Sequence, residues 1–214
     1  MNTTTPLKTA SKRLSWLLRH GAVEEGLPLD PQGFASIADV LRLLRMRRDL
    51  LDAAVAQNDK KRFEIEGDRI RAVQGHSAPV VDADAIEASW TEYLEDAPIF
   101  HGTSLTAAEA IASGGIHAGQ RSHVHLATSV DATVGKRANV DLLLLVDPVR
   151  LRAAGLPVYR APNGVLLTRS VPVAAIVGIH RVRRLRAVDE ERATRLCSIF
   201  EPLQAVPTSP QEAR

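Results

Sequence analysis

Three side chains that could bind an anionic ligand lie close together near the middle of the chain: Arg121, His123 and His125. In an extended strand, alternate side chains point to the same face, so the guanidinium and both imidazoles would face one ligand. Arginine binds phosphate as a bidentate fork, and imidazole can hold a polar group at neutral pH. The spacing therefore predicts a site for a phosphorylated or nucleotide-like ligand.

Two other interpretations of this stretch are a metal site and a solvated strand face. Alternating histidines can share an ion, and His101 could join them in space, but zinc needs three or four ligands. No other His, Cys or acid stands at a suggestive spacing, and Arg121 would repel a cation. Cys197, the one cysteine, lies among apolar residues and is expected in the core. We therefore predict that no metal is bound.

Further candidate residues lie in three short stretches. Arg19 and His20 are adjacent at the predicted end of a helix, where the alternative is that His20 interacts with the helix dipole. Arg71 begins a stretch, residues 71–77, that would either hold a ligand or form a turn, and His101 opens a His-Gly-Thr turn. The chain has no Gly-x-Gly-x-x-Gly after a strand and no P-loop, so a dinucleotide would not be held in the Rossmann manner.

Charge is unevenly distributed along the 214 residues, although the formal net charge is only +2. Residues 81–100 contain six acids and no Lys or Arg, whereas residues 1–80 carry a net charge of +3 and residues 101–214 one of +5. Two basic segments around an acidic connector suggest a cleft for a polyanion. The chain shows no signal-peptide pattern and no apolar run of ~18–20 residues, so we expect a cytoplasmic protein without membrane contact, and a monomer.

The sequence before residue 80 predicts three helices followed by a hairpin. Apolar residues at positions 10, 14, 17 and 18 form a stripe on the first helix. A second helix follows Ser36, a third covers residues 50–55, and residues 62–71 alternate around a turn at Gly67. This order is typical of a winged helix, a common nucleic-acid-binding scaffold. The basic residues of this lobe either contact phosphates together or form a solvated surface: Arg42, Arg45, Arg47, Arg48, Lys60, Lys61 and Arg62.

The rest of the chain predicts a mixed, strand-rich α+β lobe. We place residues 1–80 in the first lobe, 81–97 in the acidic connector, 98–205 in the second lobe and 206–214 in a frayed tail. The predicted elements are a short helix at 86–93, a helix begun by a capping box of Thr106 and Glu109 and ended at Gly114, a strand at 123–126, a helix begun by Ser129, a buried strand at 142–146, a helix from Pro148, and strands at 165–168 and 176–183.

Seven of these stretches together resemble one family, the RNA 2′-phosphotransferases (tRNA splicing 2′-phosphotransferases of the KptA type). The resemblance covers roughly residues 10–180, and the stretches follow the family's order. Each motif is short, but seven in order make a specific pattern. They are Ser11–His20, Gly26–Leu27 with Asp30 and Gly33–Phe34, Ile70–Ser77, His101–Thr103, Arg121–Leu126, Asn163–Val165 and Val171–Pro172.

The resemblance implies a winged-helix N-terminal lobe for RNA and a C-terminal lobe of the ADP-ribosyltransferase type that binds NAD+ as co-substrate. It also implies a two-step reaction without metal. An internal RNA 2′-phosphate attacks the nicotinamide riboside carbon of NAD+ and expels nicotinamide, which leaves an ADP-ribosylated RNA phosphate. A ribose hydroxyl then attacks that phosphate, and the products are 2′-hydroxyl RNA and ADP-ribose 1″,2″-cyclic phosphate.

Roles for individual residues follow from the same resemblance. Arg19, Arg71 and Arg121 would bind the transferred phosphate and its neighbour, and His20 would serve as a donor or proton shuttle in transesterification. The first nucleophile is already anionic, so positioning and positive charge matter more than a strong base. The residues that would hold NAD+ are His101, Gly102, Thr103, Gly115, His123, His125, Asn163, Gly164 and Val165.

His125 and Val165 would take the second and third positions of the ADP-ribosyltransferase triad. Transferases for neutral acceptors often have Glu at the third position, and an apolar residue fits an acceptor that is already charged. Two positions depart from the family pattern: Ala161 stands where Ser is frequent, and Gly119 stands where an apolar residue is usual. Both could loosen the NAD+ pocket.

Two other functions remain as alternatives. One is an ADP-ribosyltransferase of the same fold that modifies nucleic-acid or protein ends and stops after the first step, although Arg19 and His20 argue against it. The other is a winged-helix DNA-binding regulator with a ligand-sensing second lobe. The clustering of His and Arg outside any recognition helix disfavours this second alternative.

Overall fold

The computed structural model describes residues 4–77, 80–132, 134–135, 140–182 and 187–200. The chain is an α+β protein, as predicted, with antiparallel pairing in its sheets. Within these described ranges, no helix is both long enough and apolar enough to span a bilayer. The frayed tail predicted at 206–214 lies outside the described residues.

The first half of the chain contains the three helices and the hairpin that the sequence predicts, with one additional short strand. The short strand, Ala35–Ser36, pairs antiparallel with the second hairpin strand, Arg69–Ala72, which pairs antiparallel with the first, Phe63–Glu66. The elements are α1 (Thr4–Trp16), its π-helical continuation (Leu17–Gly21), β1 (Ala35–Ser36), α2 (Ile37–Leu44), α3 (Arg48–Ala56), β2 (Phe63–Glu66) and β3 (Arg69–Ala72).

The apolar stripe of α1 anchors this half. Leu14, Leu17 and Leu18 are fully buried in a core that also contains Ile70 of β3. Full burial of each such side chain stabilises the fold by about 1.5–3 kcal/mol. Because the stripe continues into the π-helical turn, the same packing that stabilises α1 also determines where the residues at its end point.

The second half has a core of its own. Its elements are α4 (Ala83–Glu87), β4 (Thr91–Glu92), β5 (Ile99–Thr103), α5 (Leu105–Gly114), β6 (Ile116–His117), β7 (Val124–Leu126), β8 (Leu142–Val146), α6 (Pro148–Ala153), β9 (Tyr159–Arg160), β10 (Leu166–Thr168), β11 (Ser170–Val171), β12 (Ile176–Arg181) and α7 (Ala187–Phe200). In the described residues these strands form three sheets, in the orders β12-β8-β5, β4-β9-β10-β7 and β11-β6.

The predicted buried strand at 142–146 is confirmed as β8. It is the central strand of its sheet, between β5 and β12, and Leu142, Leu143 and Leu144 are buried on both of its faces. A strand covered on both faces needs a continuous apolar run instead of an alternating one. The helix predicted from Pro148 is also present, with Asp147 accepting hydrogen bonds from the amides of Val149 and Arg150.

The acidic segment is more structured than a connector. The helix predicted at 86–93 is wrong in position: α4 begins earlier because Asp82 caps it, accepting from the amide of Ala85. Residues 91–92 instead form β4, which pairs with β9. Ile86 and Trp90 pack with Val165 in a third small core. The acidic segment therefore packs against the second half of the chain.

Two predicted helix starts are also wrong. Ser104, instead of Thr106, caps α5 by accepting from the amide of Ala107, and Glu109 forms an ion pair with Arg192. A side chain caps only from the extended residue just before the helix, and that residue is Ser104. Residues 127–132, where Ser129 was expected to begin a helix, form no helix.

Candidate active site

A cavity of about 820 Å³ is lined by residues from both halves of the chain. Within the described part of its lining, no residue is an Asp or a Glu. The basic and histidine residues that line it are Arg19, His20, Lys60, Arg62, His101, His117, Arg121, His123 and His125. A concentration of positive charge without compensating acids indicates an anionic ligand.

Nine of the thirteen residues predicted for the site line this cavity. They are Arg19, His20, His101, Gly102, Arg121, His123, His125, Asn163 and Val165. The four that lie outside its lining are Arg71, Thr103, Gly115 and Gly164. The strand interpretation of residues 121–126 needs one correction, because β7 begins at Val124 and Arg121 forms an isolated bridge with Ser77 instead.

Arg19 projects from the π-helical turn at the end of α1, a geometry that is frequent at functional sites. Burial, together with repulsion from Arg62 and Arg121, lowers its pKa to about 10, so the guanidinium remains charged at neutral pH. Its Nε and Nη2 atoms are buried and have no hydrogen-bond partner within the described protein. A buried donor without a partner costs about 1–3 kcal/mol, which an anion could recover by accepting from it.

Ser77 connects the two halves of the site. Its hydroxyl lies 2.8 Å from Nδ1 of His20, and its amide donates to the carbonyl of Arg19 at 2.9 Å. The same residue bridges to Arg121. Partial burial and the charges of Arg19 and Arg121 lower the pKa of His20, which favours its neutral form. The three residues predicted for phosphate chemistry, Arg19, His20 and Arg121, therefore meet around one serine.

His125 is held between a donor and an acceptor. Its Nε2–H donates to Oε1 of Gln74 at 2.7 Å, and its Nδ1 accepts from Nη1 of Arg121 at 3.3 Å. Burial, followed by the charges of Arg121 and Arg19, lowers the pKa of His125 to about 3. The ring is therefore neutral at physiological pH, and its tautomer is set by its neighbours. Its carbonyl accepts from Nδ1 of His101, which orients that second ring.

His123 is buried against Glu87 and Trp90. Its Nε2–H donates to the Glu87 carboxylate at 2.6 Å, its Nδ1 accepts from the Ser122 hydroxyl at 2.9 Å, and the Trp90 ring meets it edge-on. Burial alone would raise the pKa of Glu87, but hydrogen bonds from Arg169 and His123 lower it overall. Both ring nitrogens are thus engaged by protein groups.

Replacing Glu87 by Gln is expected to destabilise the protein by about 2 kcal/mol, because hydrogen bonds from a charged group are among the stronger ones. The carboxylate raises the pKa of His123 against the larger opposing effect of burial. Its loss should therefore lower the pKa of His123 further in an NMR titration. Glu92→Gln, an exposed carboxylate on β4, is the control and should leave both quantities unchanged. An unaltered His123 titration in Glu87→Gln would contradict this role.

Arg71 is buried in the first half of the chain and does not line the cavity. Its guanidinium pairs with Glu64 at 2.7 Å, donates to Ser89 Oγ at 3.0 Å and stacks on the ring of Phe34 at 4.5 Å. Glu64 is its cross-strand partner in the β2–β3 hairpin. These contacts give Arg71 a structural role.

Substitution of Arg71 by Ala is consequently expected to lower the free energy of unfolding by about 2–3 kcal/mol, because a buried charge network is broken. Denaturant unfolding measures this loss. Arg47→Ala, an exposed arginine paired with Asp49, is the matched control and should cost less than about 1 kcal/mol. Wild-type stability in Arg71→Ala would show that the contacts around its guanidinium contribute nothing to the fold.

The predicted residues outside the cavity shape the backbone around it. Gly115 has φ +77°, and a Cβ there would lie 2.4 Å from the carbonyl oxygen of Val171. Gly164, with φ +80°, forms the turn that presents Asn163 and Val165 to the cavity. Asn163 also donates to the carbonyl of Lys60 at 3.2 Å and so joins the two halves.

Gln74 and Glu87 were not among the predicted site residues. Gln74 lies in the motif stretch 70–77, but its role depends on reaching His125 across the chain. Glu87 belongs to the acidic segment, and nothing in its local sequence separates it from five other acids there. Lys60 and Arg62 were noted as part of a basic cluster, and the structure places both at the cavity.

The fold and cavity together define an α+β protein with a cation-lined cavity between its two halves. Residues 5–170 match the family described as RNA 2′-phosphotransferase, Tpt1 / KptA family. Proteins named "Probable RNA 2′-phosphotransferase" are similar to the chain: one from Burkholderia lata is 40% identical (76% of this chain, 86% of that protein), and one from Pseudomonas fluorescens is 37% identical (79% and 96%). The chain belongs to the RNA 2′-phosphotransferase family and is an enzyme.

Proposed function

We propose that this enzyme transfers an internal RNA 2′-phosphate to NAD+ through an ADP-ribosylated RNA intermediate. The products are 2′-hydroxyl RNA, nicotinamide and ADP-ribose 1″,2″-cyclic phosphate. The observation that carries this proposal is the buried Arg19 guanidinium, whose Nε and Nη2 have no described protein partner, in a cavity lined by cations without acids. The proposal includes a winged-helix lobe at 1–80, an ADP-ribosyltransferase-like lobe at 98–205, and a cytoplasmic monomer.

Arg19 and Arg121 are the residues that we assign to the transferred phosphate. Both residues line the cavity, and Ser77 lies between them: its amide donates to the carbonyl of Arg19, and it forms the bridge to Arg121. Arg62 adds to the same positive field. An anion bound among them would relieve the repulsion and accept from the buried donors, which is preorganised electrostatic stabilisation. Arg71 lies outside the cavity, so we propose that it supports the site through the position of β3.

NAD+ fits the second-half wall of the cavity as a co-substrate. It supplies an electrophilic ribose carbon and a nicotinamide leaving group. His101 and Gly102 of β5, His125 of β7 and the Asn163–Val165 turn would hold it, in a space of a size that suits nucleotide-like ligands. Val165 is apolar and buried, so the site offers no carboxylate there to activate a neutral acceptor. An RNA phosphate needs no such activation because it is already an anion.

His20 is the residue that we assign to proton movement in the second step. It directly follows Arg19 in the π-helical turn, and its Nδ1 is held by the Ser77 hydroxyl. A lowered pKa keeps it neutral near pH 7, so it can accept a proton from the attacking ribose hydroxyl and return it to the departing RNA oxygen.

The test mixes the purified enzyme with NAD+ and a short RNA that bears one internal 2′-phosphate, without added metal. Loss of the phosphate with release of ADP-ribose cyclic phosphate is the expected result. An RNA that keeps ADP-ribose would instead indicate a transferase that stops after the first step. No consumption of NAD+ would refute the NAD+-dependent reaction.

A further inference from the structure

A groove of about 690 Å³ runs along one face of α1 and adjoins the cavity. Its other wall is formed by the end of α3 and the loop that follows it, within residues 54–62. The groove and the cavity are continuous, because five residues line both of them: Trp16, Arg19, His20, Lys60 and Arg62.

The groove has the side chains of a backbone-phosphate site. Lys8 and Lys12 lie four residues apart on the same face of α1, with the hydroxyls of Ser11 and Ser15 beside them. Among the described ion pairs, none involves Lys8 or Lys12. Like charges at this spacing disfavour a helix slightly, and an anion lying between them removes that cost. Asp59 is the one acid in the described lining of the groove.

Trp16 stands where the groove meets the cavity. Its side chain is 41% exposed, whereas the other tryptophan, Trp90, is buried. The indole lies directly over Gly21, where a Cβ would come within 2.5 Å of Cη2. The absence of a side chain at Gly21 thus lets the ring sit flat at the end of α1 with part of its surface open. An exposed aromatic surface beside lysines is a stacking platform for an unpaired base.

We propose that this groove binds the single-stranded RNA segment that adjoins the 2′-phosphorylated nucleotide. A base stacks on Trp16, and Lys8 and Lys12 contact the backbone phosphates beyond it. A duplex fits less well, because paired and stacked bases offer no free face to the indole. The inference rests on the proposed function, since it extends the RNA bound at Arg19. Neither lysine lines the cavity, so the groove adds affinity without touching the reacting atoms.

The experiment compares a 2′-phosphorylated dinucleotide with a single-stranded nonanucleotide that carries the same internal 2′-phosphate. The wild type should show a kcat/KM about 10-fold higher for the longer RNA. The double variant Lys8→Ala/Lys12→Ala should lose most of this preference and keep the dinucleotide rate. For the longer RNA, the slope of log kcat/KM against log salt concentration should become shallower by roughly 1.4, the contribution of two single-strand phosphate contacts. Arg181→Ala/Arg195→Ala, two exposed arginines of the second half outside both the groove and the cavity, is the matched control.

Equal use of both RNAs by the wild type, or an unchanged length preference in the lysine variant, would overturn the proposal. Binding of the unphosphorylated nonanucleotide, followed by the fluorescence of Trp16, tests the groove even if no turnover occurs. The affinity for this RNA is measured from the quenching. If the lysine substitutions weaken that affinity at least 5-fold, the groove is supported independently of the reaction. Absence of quenching together with normal turnover would leave the proposed function intact and refute the groove.

Discussion

Replacing Arg121 by Ala is expected to reduce the rate of phosphate removal by about 100- to 1,000-fold, the usual cost of losing one donor aimed at developing charge. The guanidinium lies at the cavity, donates to His125 and adds to the field around Arg19. Its removal takes away a phosphate contact and also the group that holds Nδ1 of His125. Single-turnover kinetics with the 2′-phosphorylated RNA measures the loss.

Two controls separate this effect from damage to the fold. Arg121 is exposed, so Arg121→Ala should unfold at the same denaturant concentration as the wild type. Arg195→Ala removes an exposed arginine on α7, outside the cavity lining, and should retain full activity. Arg121→Lys should recover only part of the rate, because an ammonium ion cannot donate as a planar fork. Full activity in Arg121→Ala would refute its assignment to the phosphate.

Lowering the pH from 7 to 5 is expected to destabilise the fold by about 3–4 kcal/mol. His76 and His125 make the largest contributions, because burial, with nearby arginines, lowers the pKa of each from 6.5 to about 3. Between these two values the unfolded chain binds protons that the folded protein excludes, so the unfolded state gains stability as the pH falls. Each ring contributes about 2 kcal/mol at pH 5.

Denaturant unfolding at the two pH values measures this loss. His125→Gln removes one of the two rings with the largest pKa shifts and should reduce the pH-dependent part of the loss by about half. NMR titration of the imidazole protons gives the pKa of each ring directly. Equal stability at pH 7 and pH 5, or a pKa near 6.5 for either ring, would contradict the description of both rings as neutral in the folded protein.

Short-range patterns in the sequence predicted much of the fold. The stripe of Leu14, Leu17 and Leu18, the hairpin around Gly67 and the apolar run of β8 are all present, because each depends on the periodicity of its own segment. Most predictions that were wrong concern boundaries, and the helix expected from Ser129 does not form in the described residues 127–132. The start of α5 at Ser104 was missed because Thr106 has Glu109 three residues later and so matches a capping box, whereas Ser104 has Ala107 at that distance.

The site was predicted in its residue types more than in its contacts. His123 and His125 do line one cavity, as their alternate spacing suggested. Their partners lie far away in sequence: Glu87 is 36 residues from His123, and Gln74 is 51 residues from His125. The contact between Arg71 and Glu64 could have been predicted from the sequence, because the turn at Gly67 sets a register that places Glu64 opposite Arg71.

The sequence by itself determined the helices and strands, the supply of arginines and histidines, and the motifs that identify the family. These properties are local, or are a matter of order along the chain. The tertiary structure decided which arginines lie together in a cavity whose described lining has no acid, as Arg19 and Arg121 do. It also decided which arginines are paired with a carboxylate, as Arg71 is with Glu64. It also decided that His125 is neutral, because protonation depends on burial and on distances between groups that only folding brings together.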